Sequence, residues 1–220
     1  MTFLRAEISA KILEILHEMI KPGIYTIDGK KFYLTNEVFN PKYSFTSKFI
    51  VENLFLKPDW TVLDMGTGSG YVAIQIADRV KSVTAVDIND IAVRCCKINI
   101  KLNNVNDKVK ALRSNLFSSL KSEKFNTIIF NPPYLKGDPE NVVQQAWLHN
   151  SPENLIKKFA AESRDYLVKR GLIQIVYSSI SGLNFIIKKV FEDEGFKFIL
   201  DRKTRFLWEI VNFLVFQLNR

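Results

Sequence analysis

The chain has 220 residues, 47% of them hydrophobic, enough to bury one substantial core. Its 31 Lys plus Arg against 23 Asp plus Glu give a formal charge of +8, which favours encounter with polyanions, although the lysines are spread rather than massed in one tract. No apolar run reaches the roughly 18 residues of a membrane span, the first residues lack a secretory pattern, and the adjacent Cys95 and Cys96 offer neither a zinc cluster nor a disulfide framework, so the expectation is a cytoplasmic protein without a metal.

Apolar Ile8, Ile12, Ile15, Leu16 and Met19 recur at helical spacing and predict an amphipathic helix over 4–20, stopped by Pro22-Gly23. Two alternating stretches about Asp28-Gly29 predict a hairpin within 24–38, and a helix follows over 45–56. From residue 61 the pattern alternates, with strands at 61–65, 82–87, 108–112 and 125–130 and helices at 70–79 and 89–103. A helix near 152–169, a strand at 172–177 and a helix at 181–194 ended by Gly195 come next. Two closing strands, 196–200 and 206–218, flank a charged turn from Asp201 to Arg205. Such alternation implies an α/β fold, a mainly parallel sheet with helices on both faces. The expected organisation is a small helix and hairpin extension over 1–44 followed by one domain over 45–220.

Three local patterns carry chemistry. The first is the strand, tight turn and helix around Asp64-Met65-Gly66-Thr67-Gly68-Ser69-Gly70. Glycines there admit a ligand to contact distance of the main chain. No lysine follows, which excludes a phosphate-binding P-loop, and Tyr71 stands where a dinucleotide site wants glycine. The second is Asp87 at the end of the next strand, an acceptor-only carboxylate suited to two ribose hydroxyls and equally able to cap the helix behind it. The third is Asn131-Pro132-Pro133-Tyr134, at the carboxyl end of the apolar run 125–130. There the Asn131 side-chain oxygen and the Pro132 carbonyl can accept the two hydrogens of a planar NH2 group, and Tyr134 can stack on it.

These residues resemble the class I S-adenosylmethionine-dependent methyltransferases over roughly residues 37 to 218. The resemblance implies a Rossmann-like, seven-stranded, mainly parallel sheet with an antiparallel C-terminal strand, and S-adenosyl-L-methionine as cofactor. It implies cofactor contacts from Asp64, Gly66, Thr67, Gly68, Gly70, Asp87, Ile88, Asn115, Leu116 and Asn131, and amino-group methylation at Asn131, Pro132, Pro133 and Tyr134. Enzymes with this signature act on adenine or guanine amines of nucleic acids or, in the HemK-like group, on a glutamine amide of release factors. Two positions depart from the HemK-like pattern: Asn115, where many relatives carry Asp, and Phe45, where an acid is usual before Thr46.

Residues 135–152 do not read as regular core and are expected to form a substrate-side loop. Trp147 there can stack a flipped base or pack over the cofactor, and Tyr43, Thr46 and His149 are further candidates on the substrate side. Lys42, Lys48, Lys136, Lys157 and Lys158 are candidate phosphate contacts flanking the mouth. The charge favours a nucleic-acid substrate, RNA before DNA. The alternatives are a glutamine amide in a translation factor, a small molecule, or a cofactor-binding subunit serving a partner. A small activating subunit is a further possible partner.

Overall fold

The computed structural model describes residues 2–219, with the side chains of residues 2, 3 and 43 outside that description. Seven strands form the central sheet in the order β10-β11-β9-β6-β3-β4-β5. They are β3 (Thr61–Met65), β4 (Ser82–Asp87), β5 (Val109–Arg113), β6 (Phe125–Phe130), β9 (Leu167–Ser178), β10 (Phe196–Phe206) and β11 (Glu209–Leu218), while β7 (Leu135–Lys136) and β8 (Leu148–His149) form a separate short parallel pair. β9, β6, β3, β4 and β5 run parallel, and β11 is antiparallel to both β9 and β10. Parallel strands need crossover helices that cover both faces. Accordingly, Val62, Ile74, Val83 and Cys96 belong to one apolar cluster and Leu63, Ile128, Phe159 and Ile173 to the other.

The chain winds outward from β3 through α3 (Tyr71–Ile76), β4, α4 (Asp90–Leu102) and β5, then returns to the other side of β3 with β6. That reversal is a topological switch point. The loops leaving β3 and β6 diverge to opposite faces there and leave a crevice at their carboxyl ends.

The N-terminal segment departs from expectation in which side it buries. Helix α1 (Thr2–Glu18) turns Ala6, Ala10 and Leu13 toward a cluster of Leu135, Trp147 and Ile180. Ile8, Ile12, Ile15 and Met19, the side expected from the spacing, are exposed. Small residues on the docked side let the helix axis approach the bulky Trp147 ring, a gain that periodicity alone cannot weigh. The hairpin of β1 (Gly23–Ile27) and β2 (Lys30–Leu34) turns at Asp28 and Gly29, both at positive φ, and is tied to α4 by Asn99 and Asn103. Helix α2 (Phe45–Asn53) follows, its N-terminus capped by the Ser44 hydroxyl.

The C-terminal third differs in detail. The helix expected near 152–169 is α5 (Pro152–Ser163), after which a 3-10 turn leads into β9. The helix expected at 181–194 breaks into 3-10 turns before α6 (Ile187–Asp193). Asp201 to Arg205 is strand, not turn: the reversal lies at Leu207 and Trp208, with Leu207 at φ 52°. β10 is the edge of the sheet, where exposed Arg202, Lys203 and Arg205 discourage further pairing, so a charged run there is compatible with strand.

Candidate active site

The crevice at the switch point opens into a cavity of about 620 Å³, within the usual range for small-molecule sites. Asp64, Gly66, Thr67 and Gly68 line it from the β3 loop, Asp87 and Ile88 from the end of β4, Asn115 and Leu116 from the segment after β5, and Asn131 to Tyr134 from the end of β6. Trp147, His149 and Thr46 border the same space. The Tyr43 side chain lies outside the described residues.

Gly70 stands apart from its neighbours. At φ 85° it begins α3, and a Cβ there would lie 2.6 Å from Cys96 Sγ. The residue thus permits close contact of α3 with α4 and does not line the cavity. Gly68, at φ 55°, would meet nothing within 4 Å with a Cβ, so its requirement for glycine is one of conformation.

Two carboxylates organise the loop. Asp87 accepts from the Gly68 N–H at 2.8 Å through one oxygen and from the Asn89 N–H at 2.9 Å through the other. The helix cap falls to Asn89, whose side chain accepts from Ile91 N–H, and Asp87 keeps lone pairs for a ligand. Asp64 is buried and takes the Thr67 hydroxyl at 2.6 Å. Burial pushes its carboxyl up to about 7, against the smaller opposing effect of that hydrogen bond, and also raises Asp87.

This perturbation has a measurable consequence. With the carboxyl raised to about 7, the folded state holds a proton on Asp64, between the ordinary carboxylate range and pH 7, that the unfolded chain releases. Asp64 therefore contributes stability at low pH that is lost as pH rises toward 7. A cationic ligand prefers the ionised form, so its affinity should rise with pH up to about 7 and then level off. Calorimetry at pH 6 in two buffers of different ionisation heat should show protons released on binding S-adenosylmethionine, and Asp64→Asn should reduce the release. Equal apparent heats in both buffers for the wild type would rule this out.

On the other side of the crevice, the Asn131 side-chain N–H donates to Thr46 Oγ1 at 3.3 Å. Thr46 is itself 3.1 Å from the Ser44 hydroxyl, which contacts Ser47 Oγ at 2.7 Å. This chain fixes which end of the Asn131 amide points where. The nitrogen is engaged by α2, and the oxygen has no partner among the described residues, leaving it free to accept. Tyr134 is half-buried, and burial together with the nearby Glu209 carboxylate raises its phenol.

Trp147 is buried, with its ring 5.0 Å from His17 and 6.2 Å from Phe39. It packs beneath α1, and the small part of it that stays accessible borders the cavity. His149 Nδ1 accepts from Ser151 N–H, which assigns it a turn-closing role. His17 Nε2 accepts from Asn40 N–H while Nδ1 meets the Leu13 carbonyl, so the ring is neutral with its proton on Nδ1. Desolvation lowers its pKa accordingly.

Sequence reading missed the rim. Phe206, Leu207, Trp208 and Glu209 reach the cavity from the β10–β11 reversal, and Ile12 and Leu16 from α1. Phe45 stacks on Phe206 with ring centres 4.7 Å apart, so the position that departs from the HemK-like acid supplies apolar rim instead. No local motif marks these residues; the position of the hairpin reversal would have revealed Phe206 to Glu209, and the docking of α1 would have revealed Ile12 and Leu16.

The lining has an unexpected sign for a chain of net charge +8. Glu37, Asp64, Asp87 and Glu209 face the cavity, and among the described residues no lysine or arginine does. Lys42, Lys48, Lys136, Lys157 and Lys158 are not part of the lining. Lys48 pairs with Asp28, Lys157 with Glu153 and Lys158 with Glu162.

The donor set fits S-adenosylmethionine. Acidic groups suit its sulfonium and ammonium, Asp87 suits a ribose, and Ile88 and Leu116 supply apolar surface beside the Asn115 amide. Residues 31–199 match the family model of the methyltransferase small domain. A relative described as "Putative protein N5-glutamine methyltransferase" of Methanocaldococcus jannaschii is 33% identical over 193 residues, 84% of this chain and 94% of that one. A release factor glutamine methyltransferase of Fusobacterium nucleatum is 29% identical over 61% of this chain but only 41% of its own length. The crystal structure of the M. jannaschii tRNA m1G37 methyltransferase, 22% identical, has the same fold with a TM-score of 0.65 over 90% of this chain and 57% of that one. With its sheet order, crevice and family match in agreement, the chain belongs to the methyltransferase small-domain family and is an S-adenosylmethionine-dependent methyltransferase.

Proposed function

We propose that the protein methylates the side-chain amide nitrogen of a glutamine in a protein substrate, with a component of the translation machinery as the class favoured by the names of its relatives. The observation that carries this reading is the composition of the cavity. With Asp64 and Asp87 given to the cofactor, the remaining carboxylates Glu37 and Glu209 and an apolar rim, with no described lysine or arginine, would disfavour a phosphate backbone and accept a neutral amide on a polypeptide. The basic residues named above lie outside the lining.

An amide nitrogen is a poor nucleophile because its lone pair is delocalised. The cofactor supplies an electrophilic methyl group on a sulfonium. The protein's part is to hold the NH2 group with Asn131 Oδ1 and the Pro132 carbonyl as acceptors, so that the lone pair is directed along the line of displacement. Thr46 keeps the Asn131 amide in the accepting orientation. Tyr134 provides a flat, half-buried wall against the planar group, and the Phe45–Phe206 stack limits water at the rim. The proton left on nitrogen after transfer departs readily, so no dedicated base is needed.

The test is transfer of radiolabelled methyl from S-adenosylmethionine into a lysate of cells lacking the enzyme, with parallel protease and nuclease digestion. Label should be released by protease and recovered as N5-methylglutamine. Label released by nuclease would replace this reading with nucleic-acid amine methylation, which the net charge of +8 alone would favour.

A further inference from the structure

We propose that Glu209 is a substrate-binding residue that accepts a main-chain N–H of the polypeptide flanking the target glutamine; this rests on the glutamine reading above. Glu209 opens β11, directly after the exposed reversal at Leu207 and Trp208, and its side chain faces the cavity. The Ser178 hydroxyl, fully buried at the end of β9, donates to Glu209 Oε2. That contact orients the carboxylate. Oε1 has no hydrogen-bond partner among the described residues.

A half-buried carboxylate is costly unless something compensates it. Among the described residues no cation pairs with it: burial raises the Glu209 carboxyl, and the Ser178 hydroxyl opposes that shift. Glu209 shares the cavity lining with Tyr134 of the segment that leaves β6 and with the apolar Phe206, Leu207 and Trp208 of its own hairpin. The two hydrogens of the reacting NH2 are assigned to Asn131 and Pro132, so a third acceptor serves a different donor. A peptide entering a cavity of this kind loses water from its own N–H groups and needs such a partner. Leu207 and Trp208 beside Glu209 are exposed apolar surface that a bound polypeptide would cover, and covering it would strengthen that hydrogen bond.

The experiment measures initial rates of methyl transfer into the protein fraction of the lysate as a function of lysate protein concentration. Glu209→Ala should raise the half-saturating concentration about tenfold while the maximal rate falls less than about threefold. Glu209→Gln, which retains an acceptor oxygen, should fall between it and the wild type, and Ser178→Ala should shift the same quantity less. Calorimetric affinity for S-adenosylmethionine and the melting temperature should stay at wild-type values for Glu209→Gln. A merely structural role would instead lower maximal rate and melting temperature together and leave half-saturation unmoved. If label enters protein and the Glu209→Ala half-saturating concentration stays within about twofold of wild type, the proposal is overturned and the glutamine reading stands. Wild-type label in nucleic acid, or in neither fraction, overturns both.

Discussion

Asn131→Ala should reduce turnover by roughly 10²- to 10³-fold, the range found when one preorganised polar group is removed from a reaction centre. Its effect on S-adenosylmethionine affinity should be small. The Asn131 nitrogen is held by Thr46 from α2, whereas the anchors of the loop lie at the ends of β3 and β4. Losing the oxygen therefore removes an acceptor for the substrate NH2 and leaves the Asp64 and Asp87 network in place. The remaining acceptor at Pro132 belongs to the main chain and survives the substitution, so residual activity should be detectable. Single-turnover transfer under saturating cofactor, set beside calorimetric cofactor binding, separates the two effects. A loss of cofactor affinity as large as the loss of rate would contradict this division of labour.

The division was legible in the sequence to the extent that it is local. The strand, turn and helix patterns around Gly66, Asp87 and Asn131 place these residues at carboxyl ends of neighbouring strands, and the reversal of strand order brings those ends together. Hydrophobic periodicity and glycine stereochemistry are short-range signals, so they specify such positions well. What they omit is the neighbour across space. Gly70 reads as a third loop glycine, yet its constraint comes from Cys96 on the next helix. Helix α1 reads as burying its large aliphatic side chains, yet the side that docks is chosen by the shape of the Trp147 surface. The charged run 201–205 reads as a turn because it is polar, whereas the long β10–β11 ribbon keeps it extended at the sheet edge and moves the reversal to Leu207. That displacement hid Glu209 from a sequence reading. The net charge is a weak guide to the cavity for a related reason, because a sum over the chain says nothing of which charges face the cavity and which are matched on the surface.

Asp87→Ala should have the complementary effect, weakening S-adenosylmethionine by about 10- to 100-fold while the rate at saturating cofactor changes little, since a charge-assisted hydrogen bond contributes about 1.5–3 kcal/mol. Two causes act together. On the proposed reading the carboxylate accepts from the cofactor's ribose, and it also ties the Gly68 N–H at 2.8 Å, which keeps the glycine loop in its left-handed path. The variants Asp87→Asn and Asp87→Ala separate these contributions. Asparagine keeps an oxygen for one backbone N–H but places an NH2 where the second was accepted, so it should retain part of the stability lost in the alanine variant and much less of the affinity. Stability should fall by about 1–3 kcal/mol for alanine, the cost of leaving a partly buried donor unmatched. Melting temperature and calorimetric affinity, measured on both variants, would then diverge. An unchanged dissociation constant for Asp87→Ala would remove Asp87 from the cofactor site and leave it as a loop clasp alone. The proposed carboxylate contact to the cation would then rest on Asp64, and the proton release expected on binding would test it independently of Asp87.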